Sequence, residues 1–212
     1  MRDFPVFTTQ YGVASLVLRE VPYTGRAYIT LQSTLEPEAL IQECIDFCTA
    51  VGAEEIFGSG HGYLEKFPFH TSVLKLQCDC EVLGDTDALL WPVNSDTMER
   101  WRELYNQKST RIPNGAYLSQ RELKKLLTDS CAYFVHRDQR LIGTGLVFGD
   151  EILWVSSVAP GMGADVVRAL AHGIASETVT LEVASENKKA IDLYQRLGFV
   201  VIEERSRWYR IR

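Results

Sequence analysis

No stretch of this chain approaches the ~18 uninterrupted apolar residues that a membrane-spanning helix needs. The first residues, MRDFPVFTTQYGV, lack the charged-then-apolar pattern of a secretory signal. Both absences point to a cytoplasmic protein without a membrane partner. Cysteine is also sparse and irregular: Cys44, Cys48, Cys78, Cys80 and Cys131 are odd in number and lie inside apolar segments, so reduced thiols are expected rather than a disulfide framework. Cys44 and Cys48 stand one helical turn apart and Cys78 and Cys80 flank one residue, but no zinc-like spacing or histidine-rich partner accompanies them, and no metal is expected. A basic stripe is missing as well. A net charge of −6 and a pI near 5.3 argue against nucleic acid as a partner and make a cationic substrate electrostatically easier. Four arginines do cluster in the tail RSRWYRIR (205–212), yet they alternate with other residues as on the outer side of an edge strand.

What is present suffices for a fold. With 46% apolar and 24% charged residues, the 212-residue chain can bury one large core or two small ones. Two apolar runs, Gly12 to Val21 and Ala27 to Leu31, separated by Pro22-Tyr23-Thr24-Gly25, predict a hairpin. Pro37 then opens a pattern in which Leu40, Ile41, Cys44, Phe47, Cys48 and Val51 recur at helical spacing until Gly52. Strands are expected at 55–57 and 73–80, on either side of the glycine-punctuated stretch 58–62. The polar segment 81–86 suggests a boundary, giving units 1–85 and 86–212. The second unit reads as strands at 89–93, 131–137, 140–148, 151–158, 178–184 and 199–210, with helices at 96–107, 119–128, 164–175 and 187–197. That order predicts an α/β protein with a mixed sheet covered by helices. The helix at 37–51, the strand at 55–57 and YLEKFPF (63–69) echo the helix at 164–175, the strand at 178–184 and LYQRLGF (193–199); a distant repeat and a chance likeness of patterns both fit.

The most informative stretch runs from Thr180 to Phe199. A strand sandwiched between helices should be apolar on both faces, so Glu182 stands out, since a carboxylate inside a sheet needs a partner or a task. Ser185 or Asn187 can cap the following helix, and Gly198 can end it in the left-handed conformation. On that helix Asn187, Ala190, Ile191 and Tyr194 share a face, leaving a small residue between two polar groups where a ligand could lie. The plainer alternative packs Tyr194 in the core with its hydroxyl on a backbone carbonyl.

The pattern N-x-x-A-x-x-L-Y-x-x-x-G-F at Asn187, Ala190, Leu193, Tyr194, Gly198 and Phe199 resembles the C-terminal motif of the GNAT acetyltransferase superfamily. The longer string LEV…SxN..AI.LY..LGF is most similar to the bacterial enzymes that acetylate the N-termini of ribosomal proteins. The resemblance covers about residues 87–212. It implies the GNAT acyl-CoA N-acyltransferase fold, here behind a partial or degenerate GNAT-like unit at 1–85. It further implies acetyl-CoA as co-substrate and direct transfer of acetyl to the primary amine of a small molecule or peptide. Carried over residue by residue, Glu182 is the general base and Tyr194 the general acid. Val158 and Ala159 at a strand end, Gly161, Met162, Gly163 and Ala164 in the phosphate loop, and Asn187, Ala190 and Tyr194 on the last helix would hold the CoA.

Such chemistry needs these groups. An amine of pKa near ~10 is mostly protonated at neutral pH and must lose a proton to attack, and the departing sulfur is helped by a donor. The loop departs from the family, which places Arg or Gln ahead of its glycines; here Val158-Ala-Pro-Gly161-Met-Gly163-Ala-Asp165 has none, is shorter, and sets Asp165 where it suits the helix dipole but opposes a phosphate. The alternative is therefore a non-catalytic GNAT-fold module that binds a ligand or a partner protein. Trp101, Tyr105, Tyr117, His61 and Tyr63 are candidate acceptor contacts, with core or surface packing as the plainer role of each. A homodimer is compatible with all of this.

Overall fold

The computed structural model describes residues 5–212. The chain forms two compact units, one ending at Ser72 but completed by Arg205–Arg212, the other spanning Val73–Glu204.

In the first unit β1 (Val6–Thr9), β2 (Gly12–Val17) and β3 (Arg26–Thr34) are successive antiparallel neighbours. The turn between β1 and β2 depends on Gly12, whose φ is 150° and whose absent Cβ would fall 2.3 Å from the Ser33 carbonyl oxygen. β1 was not foreseen. The expected turn at 22–25 is a single helical turn, α1 (Val21–Thr24), closed by Gly25 at φ 69° with its amide on the Val21 carbonyl. α2 (Pro37–Ala50) carries the chain over the sheet to β4 (Glu55–Ser59), which runs parallel to β3 from Arg26↔Glu55 to Thr30↔Ser59. Leu40, Ile41, Cys44 and Cys48 are buried beneath it, whereas Phe47 and Val51, read from their spacing as part of the same stripe, stay 41% and 45% exposed. A 3-10 helix, Gly62–Lys66, follows.

The arginine-rich tail is not an edge. It pairs antiparallel with β4 at Tyr209↔Gly58 and Arg210↔Phe57, while the Arg210 amide donates to Pro68 on its other side at 2.9 Å. Alternation does hold: Tyr209 and Ile211 are buried, and Arg210 turns outward to Glu55 at 3.1 Å.

The second unit contains β5 from Val73 (strand Phe69–Asp79, longer than the expected 73–80), β6 (Leu89–Pro92), β7 (Cys131–Arg137), β8 (Arg140–Phe148), β9 (Glu151–Ser157), β10 (Thr178–Ala184) and the start of β11 (Val200–Arg210). Its strands run β5-β10-β9-β8-β7-β6, with only β9 and β10 parallel. α3 (Met98–Ser109) and α4 (Gln120–Leu126) cover one face, where Trp101 and Leu123 are fully buried against Ala132, Phe134 and Leu146. α4 begins in a reciprocal cap between Ser119 and Glu122. α5 (Gly163–His172) and α6 (Lys188–Arg196) pack on the same core as Leu76, Val135, Leu181 and Phe199. α5 comes close because β8 offers glycines: a Cβ on Gly143 would lie 2.4 Å from Val166, and one on Gly145 2.3 Å from Leu170. Among the described residues no helix is long and apolar enough to cross a membrane.

Candidate functional site

The two parallel strands of the second unit part company. β9 and β10 pair only at Glu151↔Thr180 and Ile152↔Leu181, although both strands continue. On its far side β9 stays bonded to β8, and the Val158 amide donates to the Ile142 carbonyl at 2.9 Å. Peptide groups alternate along a strand, so those of Ser157 and Val155, rather than that of Val158, turn toward the gap. By the same alternation the Thr180 amide, which donates to Asp150 at 3.0 Å, brings the Glu182 peptide to the gap's other side.

A cleft of about 700 Å³ occupies this gap, a size suited to a ligand. Val155, Ser157 and Val158 form one wall, Ala159, Pro160, Gly161 and Gly163 the floor with Val167, and Asn187, Lys189, Ala190, Leu193 and Tyr194 the other wall, with Lys108 at the border. Among the described residues its charged lining consists of the two lysines, so the cleft suits an anion. The floor ends at the N-terminus of α5, which has no side-chain cap. The Met162 amide donates to Ala159 at 3.3 Å, and the next amides, of Gly163, Ala164 and Asp165, precede the first intrahelical bonds. Gly161 sits at φ 81°, and a Cβ on Gly163 would lie 2.9 Å from Leu193, so glycine lets α5 and α6 meet.

Asp165 does not face an incoming anion uncompensated. Its carboxylate, 16% exposed, is held by Arg137 at 2.9 Å and by Arg168 at 3.5 Å. The charge that its position would set against a phosphate is thus paired by two guanidinium groups, one remote in sequence and one a turn away.

Tyr194 lies with its ring buried, 5.7 Å from the ring of Phe199, and burial pushes its pKa up to about 12. Its hydroxyl has no hydrogen-bond partner among the described residues, so the carbonyl contact of the plainer alternative is not made. Asn187 is the N-cap of α6 but makes no side-chain cap bond, and it borders the cleft. Gly198 has the left-handed conformation expected, φ 97°.

Glu182 departs from its expected setting. It is exposed, although Thr180 and Ala184 on the same face of β10 are buried, and Lys75 stands directly across on β5. The Glu182 side chain is not among those lining the cleft, and the side chains of Met162 and Ala164 pack against the apolar core. Val158, Ala159, Gly161, Gly163, Asn187, Ala190 and Tyr194 do border it. Missed were Ser157 and Val155, which strand alternation next to Val158 could have suggested, and Lys189, two positions after Asn187. Lys108 carried no local signal.

The aromatic candidates scatter. Trp101 is core, its indole N–H on the Tyr133 carbonyl at 3.1 Å and its ring stacked on Tyr105. Tyr117 accepts from Arg102 at 3.2 Å. In the first unit the Tyr63 amide donates to His61 at 3.1 Å, and the Tyr63 hydroxyl donates to Glu38 at 2.8 Å. A second hollow, about 650 Å³, lies over Phe7, Glu43, Asp46 and Phe47 and includes none of the candidate site residues. Among the described residues no His, Cys, Asp and Glu are grouped to hold a metal ion.

A family model described as FR47-like protein matches residues 158–209, which contain the cleft floor, β10 and α6. No curated protein matches the sequence. Among solved structures, a functionally unknown conserved protein from Staphylococcus epidermidis superposes with a TM-score of 0.64 at 14% identity, over 98% of this chain and 93% of that one. A GCN5-related N-acetyltransferase from Sphaerobacter thermophilus gives 0.56 at 13% identity, over 93% of this chain and 75% of that one. A tandem GNAT protein from the clavulanic acid biosynthesis pathway gives 0.56 at 14% identity, over 94% and 78%. The chain has the GNAT fold.

Proposed function

We propose that the protein is an acyl-CoA-dependent N-acetyltransferase that passes acetyl from acetyl-CoA directly to a primary amine. The observation that carries this reading is the parted β9–β10 pair: a cleft with open strand peptides on one side leads to the uncapped N-terminus of α5. Open peptides are what the amides of a pantetheine arm would pair with, and uncapped helical amides are what a pyrophosphate would meet. Lys189, and at the border Lys108, supply cationic charge that the loop itself lacks.

In the reaction the amine nitrogen attacks the thioester carbon, an N–C bond forms, the C–S bond breaks, and the amine's surplus proton leaves. Tyr194 holds a proton at neutral pH and donates it to the departing sulfur. Glu182, exposed rather than lining the cleft, accepts the amine's proton through water. That position of Glu182 is also what favours the second reading, a non-catalytic GNAT-fold module. Amine-dependent release of free CoA thiol distinguishes the two. The likeness to ribosomal-protein N-terminal acetyltransferases makes peptide N-termini the first acceptors to try, with small amines next, and reduced thiols and a CoA substrate suit the cytoplasm.

We further propose that the N-terminal part is a degenerate GNAT-like unit with no CoA site of its own. Its β3-α2-β4 segment follows the same plan as β9-α5-β10, but β3 and β4 are zipped over five pairs, where β9 and β10 have two. Pro37 removes an amide from the first turn of α2, and Glu38 puts a carboxylate there that accepts the Tyr63 hydroxyl.

A further inference from the structure

Asp165 is the third residue of α5, the position from which a carboxylate commonly reaches back to cap the amides of its own helix. In this protein it does not. Arg137 Nη1 holds it at 2.9 Å, and Arg168 reaches it at 3.5 Å with its Nε committed to the Leu83 carbonyl at 2.7 Å. Arg168 rides on α5 itself, whereas Arg137 brings its guanidinium to the carboxylate from another element. Arg137 is the last residue of β7. Its position is fixed by pairing with Arg140 across a two-residue turn in which Asp138 and Gln139 both have positive φ, 49° and 61°. Its Nε meets Asp87 at 3.0 Å, so the guanidinium plane is oriented from both ends.

We propose that Arg137 is a positioning residue for the anionic end of the co-substrate. It withholds the Asp165 carboxylate from the α5 amides and cancels its charge, leaving the helix N-terminus to an incoming phosphate. The arrangement replaces, by a residue on a distant hairpin, the basic group that the shortened loop lacks. This inference rests on the acyl-CoA reading and makes a demand that reading alone does not: the defect left by losing Arg137 must be repaired by also removing the carboxylate.

Calorimetric titration of wild type, Arg137→Ala and the double variant Arg137→Ala/Asp165→Asn with acetyl-CoA and with acetyl-pantetheine tests it. Arg137→Ala should weaken acetyl-CoA about fivefold to thirtyfold, the effect of one uncancelled charge in the first turn of a partly buried helix. Acetyl-pantetheine, without phosphates, should change less than about twofold, and the double variant should recover to within about threefold of wild type. Thermal unfolding without ligand checks each fold. If Arg137→Ala does not fold, Arg137→Lys serves in its place, with a smaller loss that Asp165→Asn again repairs. A double variant no better than the single one, or equal losses for both ligands, overturns the proposal while leaving the acyl-CoA reading intact. Wild-type protein that binds neither ligand overturns that reading and this inference with it.

Discussion

Replacing Tyr194 by Phe separates a packing role from a chemical one. The substitution removes one oxygen from a ring that is 7% exposed and packed against Phe199, so the apolar burial is kept. A hydroxyl with a protein partner would cost about 1 kcal/mol to delete, but this one has none among the described residues, so stability should change by less than about 0.5 kcal/mol. The raised pKa of about 12 means that the proton is in place throughout the neutral range. If that proton goes to the sulfur, turnover should fall about 10²- to 10⁴-fold, with acetyl-CoA affinity within about threefold of wild type. Steady-state release of CoA thiol, titration with acetyl-CoA and a thermal melt measure the three quantities. Unchanged turnover would refute the acid role; parallel losses of turnover and stability would return Tyr194 to the core.

Glu182→Gln should slow transfer most near neutral pH and less as pH rises, because an amine that has already lost its proton needs no base; a pH-rate profile parallel to wild type would remove Glu182 from the mechanism. Asp165→Asn should lower stability by about 1–2 kcal/mol through loss of a partly buried charge pair; acetyl-CoA affinity should change less than about threefold, since the charge is already cancelled, and a large gain would show that it is not. Stability should also decline in alkali. Tyr28 and Tyr194 are both raised from 10 to about 12 by burial, so the stability they contribute is whole below pH 10 and lost as pH rises through about 12. Denaturant melts of wild type and Tyr194→Phe from pH 8 to 11 should therefore diverge only above pH 10, and divergence below it would contradict the assigned cause.

The elements of the second unit were legible because each signal was local. The strands 131–137, 140–148 and 178–184 are bounded as their patterns indicate, and the α6 motif points its Asn, Ala and Tyr into one cleft. The first unit was less so. β1 is four residues with an exposed-intermediate rhythm and no apolar run, and Phe47 and Val51 fit the helical period without facing the core. The exposure of Glu182 is not legible in the strand's pattern, since its same-face neighbours Thr180 and Ala184 are buried. The Asp165 clamp was invisible for a similar reason, since Arg137 lies 28 residues away in sequence and meets it only through the β7–β8 hairpin. Tail residues 205–212 show the same limit: alternation gave their facing but not the presence of Pro68 on their second side.

The central claim is that the parted strands and the open α5 N-terminus form one acyl-CoA site. Calorimetric titration of the unaltered protein with acetyl-CoA tests it most directly. The account predicts one site per chain, with acetyl-pantetheine binding more weakly because it lacks the phosphates that α5 would hold. No binding of any CoA species at millimolar concentration would contradict it.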